Sequence, residues 1–251
     1  SPTYTDLQGA QWRSRMPELP DIAAYLDALR ERIVGQKLER ILLKNPFLLR
    51  TADPSPQSCE GHTARSLRRI GKRIAIGFDN DVCFVLHLMI AGRLHWYPPD
   101  KSSRMRAALL YLEFSSGMLT LTEAGTKRRA SLHVVAGERA LETFDRGGLE
   151  VLEADAETFR ARLSERNHTL KRALTDPTIL SGIGNAYSDE ILHRARLSPM
   201  TQTKSLDDEQ WQRLFDATRA TLMEWIGRLR DETIDAFPEK VTAFRSDMAV
   251  H

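Results

Sequence analysis

Apolar positions change their period along the chain. Ile22, Tyr25, Leu26, Leu29 and Ile33 recur at spacings of three and four, which predicts one apolar face of a helix. Gly35 follows as a stop signal. Short runs rich in branched and aliphatic residues come next and read as strands: Leu38–Leu43, Ala64–Ile70, Arg73–Phe78, Val82–Leu88, Arg93–Tyr97, Ala107–Phe114 and Met118–Thr122. Asn45-Pro46, Gly71, Asp79-Asn80-Asp81 and Ser115-Ser116-Gly117 punctuate them as turns. Beyond about residue 150 the helical period returns over Thr158–Ser164, Leu170–Leu174, Asn185–Ala195 and Asp207–Asp231. Asp207 suits an N-cap, and Asp208 and Glu209 suit a first turn. The stripe Trp211, Leu214, Phe215, Thr218, Leu222, Trp225 and Leu229 predicts a core-facing side. The expected class is α+β in two domains: a helix with an antiparallel β-sandwich or barrel over 16–137, a linker over 138–150, and a helical domain over 151–251.

Composition narrows this picture. The chain of 251 residues has a formal net charge of +2, and no stretch of about 18 apolar residues that could form a membrane-spanning helix. Two cysteines, Cys59 and Cys83, exclude a disulfide-dense scaffold and a zinc site built from four cysteines, and are expected to be ordinary thiols. Residues 1–15 show no period and no signal-peptide core; with Met16 reading as a start, they are expected to be a tag or extension. The positive charge is clustered. Arg65, Arg68, Arg69, Lys72 and Arg73 form one group, Lys127, Arg128 and Arg129 a second, and Arg160, Arg162, Arg166, Lys171 and Arg172 a third. Such clusters suit a phosphate backbone, or simply a solvated face.

Two motifs carry candidate chemistry. Gly182-Ile183-Gly184-Asn185 precedes a helix; its glycines permit close backbone approach, and free amides at the helix start would suit a phosphate. A joint needing glycine for geometry alone fits equally, and Asn185 could be the N-cap in either case. The second motif is Met16-Pro17-Glu18-Leu19-Pro20-Asp21. Removal of Met16 and everything before it would leave a free proline nitrogen, nucleophilic once deprotonated, with the Glu18 carboxylate beside it for proton transfer.

With these motifs the sequence resembles the formamidopyrimidine-DNA glycosylase and endonuclease VIII family. The matches run in order: Pro17-Glu18-Leu19-Pro20, the basic Gly71-Lys72, His87-Leu88 with Ala91-Gly92, Thr169–Leu174 leading into Gly182-Ile183-Gly184-Asn185-Ala186-Tyr187, and the ending Thr233–His251. The resemblance implies a helix-two-turn-helix in the helical domain. It also implies a base-excision-repair glycosylase with β/δ-elimination lyase activity on damaged double-stranded DNA, acting as a cytoplasmic monomer. Pro17 would attack the anomeric carbon, Glu18 would protonate the sugar oxygen, and Lys72, on the strand after the basic stretch, would contact phosphate. Asn185 with Gly184, His87, Arg128, Arg129 and Lys171 would hold DNA, and Ile90, with Met89 adjacent, aligns with the family's intercalating residue. Glu190 and Asp189 are expected to be helix surface or structural.

Three departures from the family pattern matter. Pro17 is peptide-bonded here, so imine chemistry is expected to require removal of residues 1–16. No Cys-x-x-Cys exists for the family's zinc finger, so no cofactor is expected in this chain and DNA affinity should be weakened. No Phe follows Arg128-Arg129, and the stretch Phe237 to Phe244 is shorter than the family loop that caps 8-oxoguanine; this favours oxidised pyrimidines, formamidopyrimidines or abasic sites. The alternatives are a non-catalytic damaged-DNA-binding module of the same fold and an RNA-associated binder.

Overall fold

The computed structural model describes residues 15–239 and 247–250. Helix α1 (Leu19–Ile33) opens the first half, with Pro20 in its first turn, where a missing amide costs nothing. Its apolar stripe, Ile22 through Ile33, is buried as its spacing predicts. Strands β1 (Leu38–Leu43), β2 (Ala64–Ile70), β3 (Arg73–Phe78), β4 (Val82–His87), β5 (Gly92–Tyr97), β6 (Leu110–Phe114), β7 (Gly117–Glu123) and β8 (Ser131–Ala136) follow. They form two antiparallel four-stranded sheets, ordered β1-β6-β7-β5 and β2-β3-β4-β8. Alternating buried positions such as Leu110, Leu112 and Phe114 fill the space between them.

The second half holds α2 (Glu138–Glu142), α3 (Ala156–Ser164), α4 (Leu170–Thr175), α5 (Asn185–Ala195) and α6 (Asp208–Glu232). Asp207 caps α6 by accepting from the Gln210 amide at 2.8 Å. All seven residues of the predicted α6 stripe are buried. Most of them pack with Phe159, Leu170 and Tyr187 into a separate helical core.

The halves differ from the sequence expectation in three ways. Strand β8 is an addition to the expected strands; it pairs with β4 in register from Val82↔Ala136 to His87↔Ser131. The stretch expected as a plain linker contains α2, whose Leu141 is buried against Ala75 and Val85 of the sandwich. The division near residue 150 is also bridged: α1 packs on α6, and Leu229 and Phe237 belong to the sandwich core. The N-terminal tract before Arg15 and most of the stretch from Phe237 to Phe244 lie outside the described residues.

Candidate active site

The site forms where the start of α1 meets the start of α5. The amide of Leu19 donates to the carbonyl of Gly182 at 2.8 Å, which joins the two motifs directly. Glu18 is the N-cap of α1, and its amide donates to Asp21 Oδ2 at 2.8 Å. The role of its side chain has no signal in the local sequence. The carboxylate accepts from the amides of Gly184, Ala186 (3.1 Å) and Tyr187 (3.2 Å), so it caps α5 from another part of the chain. A helix N-terminus leaves such amides unsatisfied and attracts negative charge. This corrects two expectations. The amides expected to be free for a phosphate are taken by Glu18, and the N-cap of α5 is Gly184, with Asn185 its first helical residue.

The glycine spacing follows from this docking. A Cβ on Gly184 would lie 2.7 Å from Lys72 Nζ and 2.8 Å from Glu18 Cδ. Gly182 has φ +84°, and a Cβ there would meet Leu19 Cβ at 2.9 Å. Glu18 and the Lys72 ammonium thus converge over one glycine. Lys72 itself sits in the β2–β3 turn, after Gly71 with φ +61°, and not on the strand expected for it.

Burial governs the ionisation of this group. Glu18 is 2 % exposed. Burial pushes its carboxyl above the ordinary carboxylate value and Asp21 adds to this, while Lys72, Arg15 and the Gly184 amide pull it back. Burial lowers the Lys72 ammonium, with Glu18 opposing. Arg15, placed within the expected tag, is instead held in the site: it pairs with the fully buried Asp21 at 2.7 Å and lies 5.2 Å from the Tyr187 ring centroid. Pro17 is buried between Met16 and Glu18, its nitrogen bonded to Met16.

Beside this group lies a cavity of about 250 Å³, lined from both halves by Met16, Lys72, Arg73, His87, Arg146 and Gly182 among others. His87 ends β4, accepts from the Met89 amide at Nδ1 (3.1 Å) and is pushed down to about 4, chiefly by burial and then by Arg73, Lys72 and His133. In the sequence Arg73 is only one of a basic run, Asp21 merely closes the second motif without a role of its own, and nothing there marks Arg146 or Arg15 as part of a site.

The other candidates are scattered. In the turn after β4, Met89 has φ +56° and Ile90 is 49 % exposed. Arg128 and Arg129 lie in the exposed β7–β8 loop, closed by Glu123 Oε2 accepting from the Arg129 (3.0 Å) and Ala130 (2.7 Å) amides. Both segments leave from one end of the paired strands β5 and β7, where Gly92 faces Glu123. Lys171 pairs with Asp189 and donates to the Asn185 carbonyl at 3.0 Å, so it ties α4 to α5 and its charge is matched. The Asn185 side chain is exposed. Glu190 accepts from the Ala249 (3.0 Å) and Val250 (2.7 Å) amides. The basic clusters are also partly neutralised: Arg68 pairs with Glu138, Arg69 with Glu150, and Arg160 with Asp208. Cys59 and Cys83 are both free thiols of the sandwich half, Cys59 buried and Cys83 partly so.

Comparison with known proteins places this architecture. The model of the formamidopyrimidine-DNA glycosylase N-terminal domain matches residues 16–131, and that of the formamidopyrimidine-DNA glycosylase H2TH domain matches 148–235. The formamidopyrimidine-DNA glycosylase of Heliobacterium modesticaldum is 33% identical over 220 residues, covering 84% of this chain and 79% of the relative. That of Xanthomonas axonopodis pv. citri is 31% identical over 220 residues, covering 85% and 79%. Lactococcus lactis Fpg, solved in complex with abasic-site DNA, superposes with a TM-score of 0.76 at 25% identity, covering 84% of this chain and 79% of that one. MutM in complex with DNA containing carbocyclic 8-oxo-G gives 0.74 at 25% identity, covering 84% and 80%.

Proposed function

Because the chain belongs to the formamidopyrimidine-DNA glycosylase family, we propose that it is a DNA glycosylase of base-excision repair that removes oxidised bases from duplex DNA and then cleaves the strand as a lyase. The observation that carries this reading is the convergence of Glu18 and Lys72 over Gly184, one residue from Pro17 and beside a cavity lined by Met16 and Lys72. The nitrogen of Pro17, freed from Met16, attacks the anomeric carbon of a flipped nucleotide; the N–C bond forms as the glycosidic bond breaks and the base departs with its electron pair. The Glu18 carboxyl, held above the usual range by burial, supplies a proton to the ring oxygen as the sugar opens to an iminium. Water takes the C2′ proton while the C–H electron pair flows into the iminium to form an enamine; that pair then expels the 3′ phosphate as the C3′–O bond breaks, and a second deprotonation and elimination expels the 5′ phosphate. Lys72 presents its cation to the phosphate side of this reaction. The Ile90 turn and the Arg128-Arg129 loop, projecting from one end of the sandwich, suit filling the gap that the flipped nucleotide leaves.

The test compares the full 251-residue chain with the chain beginning at Pro17, on duplexes carrying one oxidised base or an abasic site. Borohydride trapping is expected to give a covalent adduct with the second and none with the first, and Glu18→Gln is expected to abolish base excision. An adduct from the uncleaved chain sinks the role of Pro17, and unchanged excision by the Glu18→Gln variant sinks that of Glu18. Because Pro17 is here bonded to Met16, a non-catalytic damaged-DNA-binding module is the second reading; lesion binding without cleavage by the chain beginning at Pro17 establishes it instead.

A further inference from the structure

A second hollow opens where β1 runs out of the sandwich. It measures about 520 Å³, and its lining includes Lys44, Pro46, Arg106 and Arg128, with Glu123 as the one carboxylate. None of the three cations pairs with a carboxylate among the described residues. Glu123 turns its Oε2 to the Arg129 and Ala130 amides. Next to Pro46 stands Phe47, 82 % exposed, more than any other large apolar side chain among the described residues. Its backbone is fixed. Pro46 opens a three-residue 3-10 turn, the Phe47 amide donates to Asn45 Oδ1 at 2.9 Å, and the Leu49 amide donates to the Pro46 carbonyl at 3.3 Å. Buried Leu48 anchors the turn, and the Arg50 amide ties it to the Leu132 carbonyl at 2.9 Å. A ring presented so rigidly gives up little freedom when a flat partner covers it.

Strand pairing places this turn at the end of the sandwich that carries the candidate active site. Arg73, next to Lys72, pairs with His87, His87 pairs with Ser131, and Leu49 bridges to Leu132. The Phe47 turn therefore stands three strand spacings, roughly 14 Å, from β3. The Lys44 amide donates to the Leu109 carbonyl at 2.8 Å and the Leu109 amide to the Leu121 carbonyl at 2.9 Å, so the hollow adjoins the end of β7 and the Arg128-Arg129 loop. It lies on the β6 side of that loop, and the Ile90 turn lies on the β5 side.

We propose that the Phe47 turn and the hollow beside it form a stacking subsite for an unpaired nucleotide of DNA, its base on the Phe47 ring and its phosphates facing Lys44, Arg106 and Arg128. An exposed ring among unpaired cations matches a ligand with a flat apolar face and an anionic backbone. The core of a protein interface is instead depleted of charge, which disfavours a second protein as the occupant. A base inside a duplex already has both faces stacked and its edge paired, so only an unpaired nucleotide can lie on the ring. The inference rests on the DNA-repair reading for its biological ligand. On that reading the Arg128-Arg129 loop enters the gap left by the flipped nucleotide, and an unpaired nucleotide flanking the gap reaches the hollow across that loop. The consequence is a preference for lesions in bubbles, forks or frayed ends over lesions in a fully paired duplex.

The full chain is titrated with three DNAs to test this. They are a paired duplex containing a tetrahydrofuran abasic analogue, the same duplex with a short mismatched bubble beside the analogue, and a lesion-free single strand carrying 2-aminopurine. The bubble is expected to bind at least about fivefold tighter than the paired duplex, the lower end of what one stacked base contributes. Phe47→Ala is expected to remove that advantage and leave affinity for the paired duplex unchanged, and Phe47→Trp to keep it. Phe47 is exposed, so neither change disturbs the fold. Quenching of 2-aminopurine fluorescence is expected with the parent and the Phe47→Trp form and not with Phe47→Ala. Lys44→Gln and Arg106→Gln are each expected to weaken single-strand binding and lower its salt slope by about 0.7. Equal affinity of the parent for bubble and paired duplex, or an equal loss on all three DNAs in Phe47→Ala, overturns the subsite. A Phe47→Ala form that binds every DNA like the parent but loses concentration-dependent self-association in sedimentation also overturns it, and makes the patch a contact between copies of this chain. Failure to bind the abasic analogue or excise any base, while the single strand is still quenched through Phe47, keeps the subsite and rejects the repair reading.

Discussion

Replacing Gly184 with Ala probes the seam between the two motifs at a single atom. The added Cβ would sit 2.7 Å from Lys72 Nζ, 2.8 Å from Glu18 Cδ and 3.0 Å from Glu18 Cγ. The lysine tip can swing away at little cost. The glutamate cannot, because its carboxylate is buried and accepts from three amides of α5. Overpacking of this kind costs about 1–3 kcal/mol, and weakening one charge-assisted hydrogen bond adds about 1.5–3 kcal/mol. The expected loss is about 2.5–6 kcal/mol. At roughly 2–4 °C per kcal/mol for a chain of this size, Tm falls by about 5–24 °C. Gly227 supplies the control. It lies inside α6 with nothing within 4 Å of a built Cβ, so Gly227→Ala is expected to stabilise by about 0.5–1 kcal/mol. Urea unfolding of both variants beside the parent measures the difference, and hydrogen exchange at Ala186 and Tyr187 reads whether the cap has opened. A Gly184→Ala protein within about 0.5 kcal/mol of the parent, with those amides still protected, would refute the claim that Glu18 is fixed over this glycine.

Three further outcomes follow from the geometry. His87 is held down to about 4 against an ordinary value of 6.5, so the folded state binds its proton less readily than the unfolded chain. Its contribution to stability is present above about pH 6.5 and is lost as pH falls toward 4; His87→Gln should flatten the unfolding free energy across that window, and an unchanged profile argues against the burial described. Glu190→Ala removes the acceptor of the Ala249 and Val250 amides and leaves buried Met248 poorly anchored, so faster exchange at those amides and a loss of about 1–3 kcal/mol are expected by exchange mass spectrometry and urea unfolding. Ile90→Ala, at an exposed turn, should change stability by less than about 0.5 kcal/mol yet weaken binding to a lesion duplex several-fold, and equal affinity for both forms removes Ile90 from the interface.

Most of the fold is legible in the sequence because burial imposes a period. Leu38–Leu43, Ala64–Ile70 and Arg73–Phe78 coincide with β1, β2 and β3, whose buried positions need the facing sheet or α1. Asp207 can be read as a cap because its partner is three residues away. Strand β8 is harder to see because it follows the Lys127-Arg128-Arg129 loop and carries His133, so its buried Leu132 and Val134 do not stand out. Helix α2 is five residues long, too short to show a period. At the site, residue types and the close pairing of the two glycines are readable, but their purpose is not. Nothing near Asn185 shows that its helix is capped by Glu18, 166 positions away from Gly184. Arg73 and Arg146 likewise become partners only once β3 and the segment after α2 lie against each other.

That separation also sets an order of events during synthesis. Glu18 emerges well before the amides that hold it, which belong to residues 184, 186 and 187. At about 5–20 residues per second, the ribosome needs roughly 8–35 seconds to deliver them. Through that interval the sandwich can collapse while the tip of α1 still lacks its anchor. The tip of α1 is therefore made long before the amides that hold it, and it takes its final shape only together with α5.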